Sequence, residues 1–159
     1  MDVLLRQLDP LLPIPRPADS CDAGIDICAR NDARVKARGG REVIATGIAI
    51  ALPEGSVALV TPRSGIAALR GVTVLNAPGV IDPGYRGEIK VVLVNHDPSD
   101  DFVIHRGDRI AQLLFLRAEK VLFQRVAELP PSSRGARAFG SSGVGLSDGS
   151  GDHGGGSLD

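Results

Sequence analysis

Aromatic residues are scarce in this sequence, and so are other residue types that mark whole classes of protein. Tryptophan is absent, tyrosine occurs once, and aromatics make up 3% of the 159 residues. Cys21 and Cys28 lack Cys-x-x-Cys spacing and follow no secretory leader pattern, so we expect buried thiols in a reduced, cytoplasmic compartment. His96, His105 and His153 show no metal-ligand spacing, which disfavours a zinc site.

An excess of charge and a long apolar run are both missing as well. The formal net charge is −1, so no global field draws the protein to nucleic acid or to a membrane surface. No apolar run approaches the roughly 18 residues that a membrane span needs. We therefore expect no membrane and no direct nucleic-acid binding, and any site for a polyanion must be a local cluster of arginines and backbone N–H groups.

Glycine and proline, at 20 and 11 residues, divide the chain into short runs rich in Val, Ile and Leu. Short, partly alternating runs between turn signals predict an all-β sandwich or barrel. Only Ser64 to Gly71 is suited to a helical turn or two. The predicted strands are Glu42–Leu52, Ser56–Val60, Val72–Leu75, Glu88–Val94, Phe102–His105, Arg109–Arg117 and Lys120–Val126.

The composition changes sharply near Leu129. Pro130 and Pro131 interrupt any strand, and the sequence that follows is mostly Gly, Ser and small polar residues. We therefore predict a β core over 1–129 and a flexible arm over 130–159. Within the arm, residues 132–143 combine arginines, a phenylalanine and serines with glycines, which suits either a disordered terminus or a lid that closes over an anion.

One glycine-rich turn, residues 79–88, holds the acid Asp82 and the only tyrosine, Tyr85. A scarce aromatic in such a turn is more typical of a stacking surface than of core filler. Pro83 biases the backbone of Asp82 to extended geometry, which fixes the direction of its carboxylate. The preceding strand and the one that follows predict a hairpin-like arm, in which Asn76 and backbone groups can pair with the edge of a base.

Three further stretches each allow two interpretations. Asp22 and Asp26 flank a glycine and suit either a turn or Mg²⁺ held through its water shell. Arg63 and Ser64, between a strand and the predicted helix, suit either phosphate binding or a plain N-cap by Ser64. Gln112 is the uncharged polar residue in an apolar run, and it is either outward-facing or a phosphate donor.

Together these five stretches resemble, in order and spacing, the five motifs of the trimeric deoxyuridine triphosphatases (dUTPases), with a special likeness to actinobacterial members. The resemblance spans residues 22 to 143. It implies a β jelly roll with one short helix and a flexible C-terminal tail, assembled as a homotrimer with shared active sites. The implied reaction is Mg²⁺-dependent hydrolysis of dUTP to dUMP and pyrophosphate, which limits uracil in DNA and supplies dUMP for thymidylate synthesis.

The resemblance also assigns roles to individual residues. Asp82 is implied as the general base for the attacking water, and Tyr85 as the surface beneath the deoxyribose. Asp26 is implied to meet Mg²⁺ through water. The uracil is implied to contact Asn76, Val80, Ile81 and Lys90, and the triphosphate Arg63, Ser64, Gly65 and Gln112. From the arm, Phe139 would cover the uracil, and Arg134, Gly140, Ser141 and Ser142 would complete the lid over the phosphates.

Two alternatives stay open on the sequence. A dCTP deaminase shares the fold and would release ammonia from dCTP. A non-catalytic dUTP sensor is permitted by the last motif, in which Arg137 and Ala138 stand where the family has glycines. Side chains with a Cβ disfavour positive φ, so this lid is expected to close differently, or Arg137 to add a phosphate contact.

Overall fold

Eleven β-strands and one short helix form the regular structure of residues 1–133 and 135–136, which the computed structural model describes. The chain falls into two compact units, Met1–Val121 and Leu122–Asp159, and all strands and the helix of the described residues lie in the first. The prediction of an all-β fold with one short helix is confirmed. The elements are β1 Leu4–Gln7, β2 Ile25–Cys28, β3 Ala33–Val35, β4 Arg41–Ala45, β5 Ile48–Ala51, β6 Ser56–Thr61, α1 Ser64–Arg70, β7 Val72–Val74, β8 Gly79–Ile81, β9 Lys90–Asn95, β10 Phe102–Ile104 and β11 Arg109–Arg117.

The strands pair in four antiparallel sheets. One sheet has the order β2-β11-β6-β8 and another the order β4-β9-β7, and β1-β5 and β10-β3 form two-stranded pairs. The long strand β11 sets the register that matters most, because Gln112 lies opposite Asp26 on β2 and opposite Thr61 on β6. Directly opposed residues share a face of a sheet, so these three side chains lie on the same side.

The apolar core takes side chains from every sheet. β6 shows why these strands form, since its residues alternate strictly between buried and half-buried positions, as expected for a strand with one face against a core. Burying a large apolar side chain in this core contributes roughly 1.5–3 kcal/mol. The largest fully buried side chains are Ile27, Leu93, Ile104, Leu113, Val35, Val72, Val91 and Asn95.

Asn95 is the polar member of that set, and its hydrogen bonds explain its burial. Its Nδ2 donates to the carbonyl oxygens of Val35 at 3.1 Å and Asp100 at 2.9 Å, and its Oδ1 accepts from Asp97 N–H at 2.9 Å. A buried amide with all these partners avoids the cost of an unmade hydrogen bond. It fastens the end of β9 to β3 and to the 97–100 loop.

Two predicted strands need correction. The run Glu42–Leu52 forms two strands, because Gly47 between them adopts a positive φ of 74°, which ends the ladder at the turn. Lys120–Val126 forms no strand, and Leu122 and Phe123 are 90% and 96% exposed. A strand needs a hydrogen-bonding neighbour, and the apolar pattern alone does not supply one within a single chain.

The short helix and the hairpin arm are positioned as the sequence predicts, with one difference. β7 pairs with β9, which confirms the arm. The residue at the N-cap of α1 is Arg63, with extended backbone and no side-chain cap, so a cap by Ser64 is wrong. Gly71 ends the helix in the left-handed region at φ 60°. No helix among the described residues is long and apolar enough to cross a membrane.

Candidate active site

Two cavities collect most of the residues that the sequence singles out. The larger, of ≈ 630 Å³, is lined by Asp26, Arg63, Ser64, Gly65 and Gln112, all expected around phosphate or metal. The smaller, of ≈ 200 Å³, is lined by Asn76, Val80, Ile81, Tyr85 and Lys90, all expected around base and sugar. The two cavities have no lining residue in common. We call them the larger and the smaller cavity below.

An ion-pair cluster forms the wall of the larger cavity. Oδ1 of Asp26 lies 2.9 Å from Nε of Arg63, and Oδ2 lies 3.2 Å from Nη1 of Arg109. Arg63 also donates from Nη1 to the carbonyl oxygen of Arg109 at 3.1 Å. One carboxylate thus holds two guanidinium groups together, and the donors that remain free on each are suited to an anion.

Sequence reasoning missed Arg109 as a site residue, and a β-bulge explains why. Positions 109 and 112 would face opposite sides of a regular strand, yet both side chains line the larger cavity. The pairing of β11 with β2 shifts by one residue between Arg109 and Ala111, which re-aims the side chain beside the bulge. One feature of the sequence could have identified Arg109: it lies in the same stretch, residues 107–112, as Gln112, the predicted phosphate donor.

Gln112 is held in place inside the larger cavity. Its Nε2 donates to the carbonyl oxygen of Pro62 at 2.9 Å. Its side chain lies directly over Gly24, where an added Cβ would overlap Oε1 of Gln112. Gly24 is therefore needed for close approach, and this amide is preset rather than free to rotate.

The cysteine predictions divide at this cavity. Cys21 is exposed, so the prediction that its thiol is buried is wrong. The residue lies in a turn and not in a strand that packs against the core. Cys28 is half-buried on β2 and lines the larger cavity. Burial and the nearby Asp26 carboxylate raise the pKa of its thiol, against the opposing effect of Arg109 and Arg63. The neutral thiol is the favoured form at physiological pH.

The smaller cavity lies at the free edge of β8, between it and strands β7 and β9. β8 is an edge strand of its sheet, so one row of its backbone N–H and C=O groups is not paired within the sheet. Gly79 is the close-approach point here, because an added Cβ would stand 3.3 Å from Nδ2 of Asn76 and 3.3 Å from Cβ of Val60. The cavity therefore combines apolar walls with backbone groups and one amide.

Tyr85 is fixed at the mouth of the smaller cavity. Its Oη donates to the carbonyl oxygen of Glu88 at 2.9 Å, and its N–H donates to the carbonyl oxygen of Asp82 at 3.1 Å. The side chain is 46% exposed, which leaves part of the ring open to a ligand. Asp82 itself is exposed directly after β8 and is not among the described residues lining either cavity.

The described residues contain no group of three or more His, Cys, Asp or Glu side chains suited to hold a metal ion. The larger cavity does present two carboxylates, Asp22 and Asp26. Mg²⁺ keeps several waters and binds through few carboxylates plus substrate phosphates, so this donor set fits an ion that arrives with a phosphate ligand. Five predicted lid residues lie outside the described part of the chain, together with Arg137 and Ala138; they are Arg134, Phe139, Gly140, Ser141 and Ser142.

Comparison with known proteins gives a consistent result. The dUTPase family model matches residues 12–143. A deoxyuridine 5'-triphosphate nucleotidohydrolase of Nocardia farcinica is 55% identical over 139 residues, covering 87% of this chain and 84% of the relative.

Solved structures are similar as well. A variant of the dUTPase of Staphylococcus bacteriophage 80alpha with dUpNHpp aligns at TM-score 0.83 and 27% identity, covering 90% of this chain and 99% of that one. A variant of the dUTPase from phage phi11 of S. aureus, solved with a structural Mg(II) ion, aligns at TM-score 0.75 and 23% identity, covering 82% and 100%. The second likeness speaks to the fold alone.

Proposed function

Because this chain belongs to the dUTPase family and is a dUTP nucleotidohydrolase, we propose that it cleaves the bond between the α-phosphate and the β-phosphate of dUTP, using the two cavities described above. The observation that carries this proposal is their division of chemistry. The larger cavity presents paired arginines and a fixed amide. The smaller presents apolar walls, an unpaired strand edge and one tyrosine.

The larger cavity would bind the triphosphate. The triphosphate oxygens would be contacted by Arg63, Ser64, Gly65 and Gln112. Arg109 would join them, because it lines the same cavity and is held there by its ion pair with Asp26. Preset donors aimed at developing negative charge lower the barrier without reorganising during the reaction. Asp26 would meet Mg²⁺ through water, and the ion would neutralise charge on the phosphates when bound.

The smaller cavity would bind uracil and deoxyribose. The free edge of β8 at Val80 and Ile81, together with Asn76 and Lys90, would pair with the polar edge of uracil. Fixed backbone donors and acceptors reject cytosine, because a mismatch leaves buried polar groups unpaired. The ring of Tyr85 would lie against the sugar and leave no room for a 2′-hydroxyl.

Asp82 would orient and deprotonate the water that attacks the α-phosphorus. Its carboxylate is exposed next to the smaller cavity, and Pro83 restricts the backbone that carries it. Orientation of the water supplies much of the expected gain, since holding reactants in a productive geometry replaces an entropic cost. The lid residues Arg134, Phe139, Gly140, Ser141 and Ser142 would then close over the nucleotide.

A homotrimer with shared active sites would bring the two kinds of cavity together. Asp26 belongs to the β2 edge of the four-stranded sheet and Val80 to the β8 edge. With strands about 4.8 Å apart, these edges stand roughly 14 Å from each other. Leu122 and Phe123 in the second unit are strongly exposed in the single chain, as expected of a surface that a neighbouring subunit covers.

Mixed trimers test the sharing. Asp82→Asn removes the base and Arg63→Ala removes a phosphate ligand, and each variant alone should have little activity. If one subunit supplies Asp82 and another supplies Arg63, random exchange restores about one quarter of the sites. No recovery after verified exchange would place both residues in one subunit, and a particle lighter than three 16.6 kDa chains would contradict the trimer.

The activity itself is tested by pyrophosphate release with Mg²⁺ from dUTP, dCTP, dTTP and UTP in parallel. Release from dUTP alone is expected, because base and sugar are read by separate features of the smaller cavity. Binding of dUTP without release would favour the sensor, and ammonia release from dCTP would favour the deaminase. Release from several nucleotides would contradict the assignment of Asn76 and β8 to base recognition.

A further inference from the structure

The backbone around Tyr85 is anchored by a side chain that the proposed chemistry does not use. The carbonyl oxygen that accepts from Oη of Tyr85 belongs to Glu88. The Oε1 atom of the Glu88 carboxylate accepts from Gly47 N–H at 2.8 Å. The same Oε1 lies 3.3 Å from Nη1 of Arg30, and the Glu88 side chain is only 18% exposed.

Arg30 is itself held on several sides. Its Nη2 donates to the carbonyl oxygen of Leu8 at 3.3 Å, and its Nε lies 3.7 Å from the carboxylate of Asp9. Arg106 donates two hydrogen bonds to the same carboxylate, of 2.7 and 3.0 Å. It also donates one to the carbonyl oxygen of Arg30 at 3.0 Å. We call Asp9, Arg30, Glu88 and Arg106 the anchor network.

The anchor network is built for fixed geometry rather than for binding an anion. Two carboxylates balance two guanidinium groups, so it carries no net charge. It joins the end of β1, the β2–β3 turn, the β10–β11 turn and the Tyr85 loop, four segments far apart in sequence. A buried ion pair is weak evidence for stability, but this network ties the four segments to one another.

Discrimination against the 2′-hydroxyl of ribose is the property that depends most on a fixed position of the Tyr85 ring. An apolar surface alone rejects a ligand that merely adds a hydroxyl only weakly, by about a hundredfold. Rejection of a 2′-hydroxyl by the ring of Tyr85 therefore requires that the ring keep its position when a ribose enters the cavity. Among the described residues, the one side-chain hydrogen bond of Tyr85 runs to the carbonyl of Glu88, so a shift of that carbonyl would move the ring.

We propose that Glu88 is a positioning residue for Tyr85, and that its ion pair with Arg30 sets the selectivity of the site for deoxyribose over ribose. This inference rests on the proposed function. It adds a residue that contacts no substrate and acts through the tyrosine, and it extends the determinants of sugar selectivity to Arg30, on a different loop of the fold.

The test compares Glu88→Gln, Arg30→Met and the double variant with wild type. Glu88→Gln keeps an acceptor for Gly47 N–H and removes the charge that pairs with Arg30. Glu54→Gln is the matched control, because Glu54 forms an ion pair with Lys120 at 3.7 Å, with both side chains more than four-fifths exposed. Three quantities are measured: the ratio of kcat/KM for dUTP over UTP, kcat for dUTP, and the melting temperature.

A direct readout of the ring needs no nucleotide. Tyr85 is the only tyrosine and tryptophan is absent, so tyrosine emission reports on Tyr85 alone. Quenching of that emission by acrylamide measures how accessible the ring is in each variant. A role confined to global stability would change the melting temperature and leave both the quenching and the nucleotide ratio unchanged.

We expect the dUTP-to-UTP ratio to fall about two- to fivefold in Glu88→Gln and in Arg30→Met, the range that one partly exposed ion pair supplies. The double variant should fall no further than Arg30→Met alone, because Arg30→Met already removes the ion pair that Glu88→Gln removes. Quenching should rise in all three, and Glu54→Gln should match wild type. An unchanged ratio in both single variants, or an equal fall in Glu54→Gln, would overturn the proposal.

Failure of the proposed function would be recognised separately. If wild type released no pyrophosphate from dUTP, the hydrolase assignment would fail whatever the variants did. The quenching comparison would then decide the positioning role on its own. Raised accessibility in Glu88→Gln would support that role, and unchanged accessibility would overturn it.

Discussion

Replacing Gly87 by alanine puts the placement of Tyr85 to its most direct test. The ring lies across Gly87, and an added Cβ would stand 2.5 Å from Oη, 2.7 Å from Cζ and 3.0 Å from Cε2. Carbon atoms in good contact are about 3.5–4.0 Å apart, so the ring must move by about 1 Å. No positive φ is required at Gly87, and the effect of the change is therefore on the ring and not on backbone strain.

The size of the effect follows from that displacement. A shift of about 1 Å carries Oη, now 2.9 Å from the carbonyl oxygen of Glu88, out of good hydrogen-bonding range. A misplacement of about 1 Å at an active site can cost roughly a hundredfold in rate. We expect kcat/KM for dUTP to fall about ten- to hundredfold, measured by pyrophosphate release.

Gly84→Ala is the matched control, because it lies in the same loop and an added Cβ there meets nothing within 4 Å. Its kcat/KM should stay within about twofold of wild type, as for a substitution in open space. If Gly87→Ala behaved like Gly84→Ala, the ring of Tyr85 would not need its observed position. The role given to Tyr85 at the sugar would then be refuted.

Three further outcomes are expected. Asp82→Asn should still bind dUTP but lose most turnover, and near-normal turnover with unchanged binding would remove Asp82 from the base role. Gly24→Ala should raise KM for dUTP about tenfold, because the new Cβ displaces Gln112 from its bond to the carbonyl of Pro62; a wild-type KM would argue against a phosphate role for that amide. Asn95→Ala should lower the free energy of unfolding by about 2–4 kcal/mol in urea titrations, since it removes one buried and two partly buried hydrogen bonds to the backbone; a loss below about 0.5 kcal/mol would contradict that accounting.

Much of the site was predictable because its parts are local in sequence. Asp82 and Tyr85 share one turn, and Arg63 and Ser64 follow one strand, so their neighbourhood is set by a few residues of backbone. The hairpin arm was predictable for the same reason, since apolar strands and turn glycines adjoin each other. What stayed a prediction is the chemistry of each residue, together with the lid residues beyond the described part of the chain.

Two of the errors have a different physical cause, which is pairing between distant segments. Arg109 was missed because a bulge opposite β2 changes the face of the sheet on which its side chain lies. The alternating pattern of a single strand does not reveal such a bulge. Lys120–Val126 has the composition of a strand, but its pairing partner must come from elsewhere. The short strand β2 carries Asp26 and was not predicted, because four residues beside an Asp- and Gly-rich turn show little periodicity.

An ion-pair cluster accompanies each cavity, and the charge balance of the two clusters differs. Asp26 holds Arg63 and Arg109 with one negative charge against two positive charges, so the cluster keeps a net positive charge for a phosphate to meet. The anchor network behind Tyr85 balances its charges and attracts no anion. On the proposed assignment, the larger cavity would attract the triphosphate, and the smaller cavity would bind base and sugar through Asn76, the edge of β8 and Tyr85. Neutralising Asp26 would add positive charge to the larger cavity but release the two guanidinium groups from each other. For a reaction that depends on preset donors, the loss of order should outweigh the gain in charge.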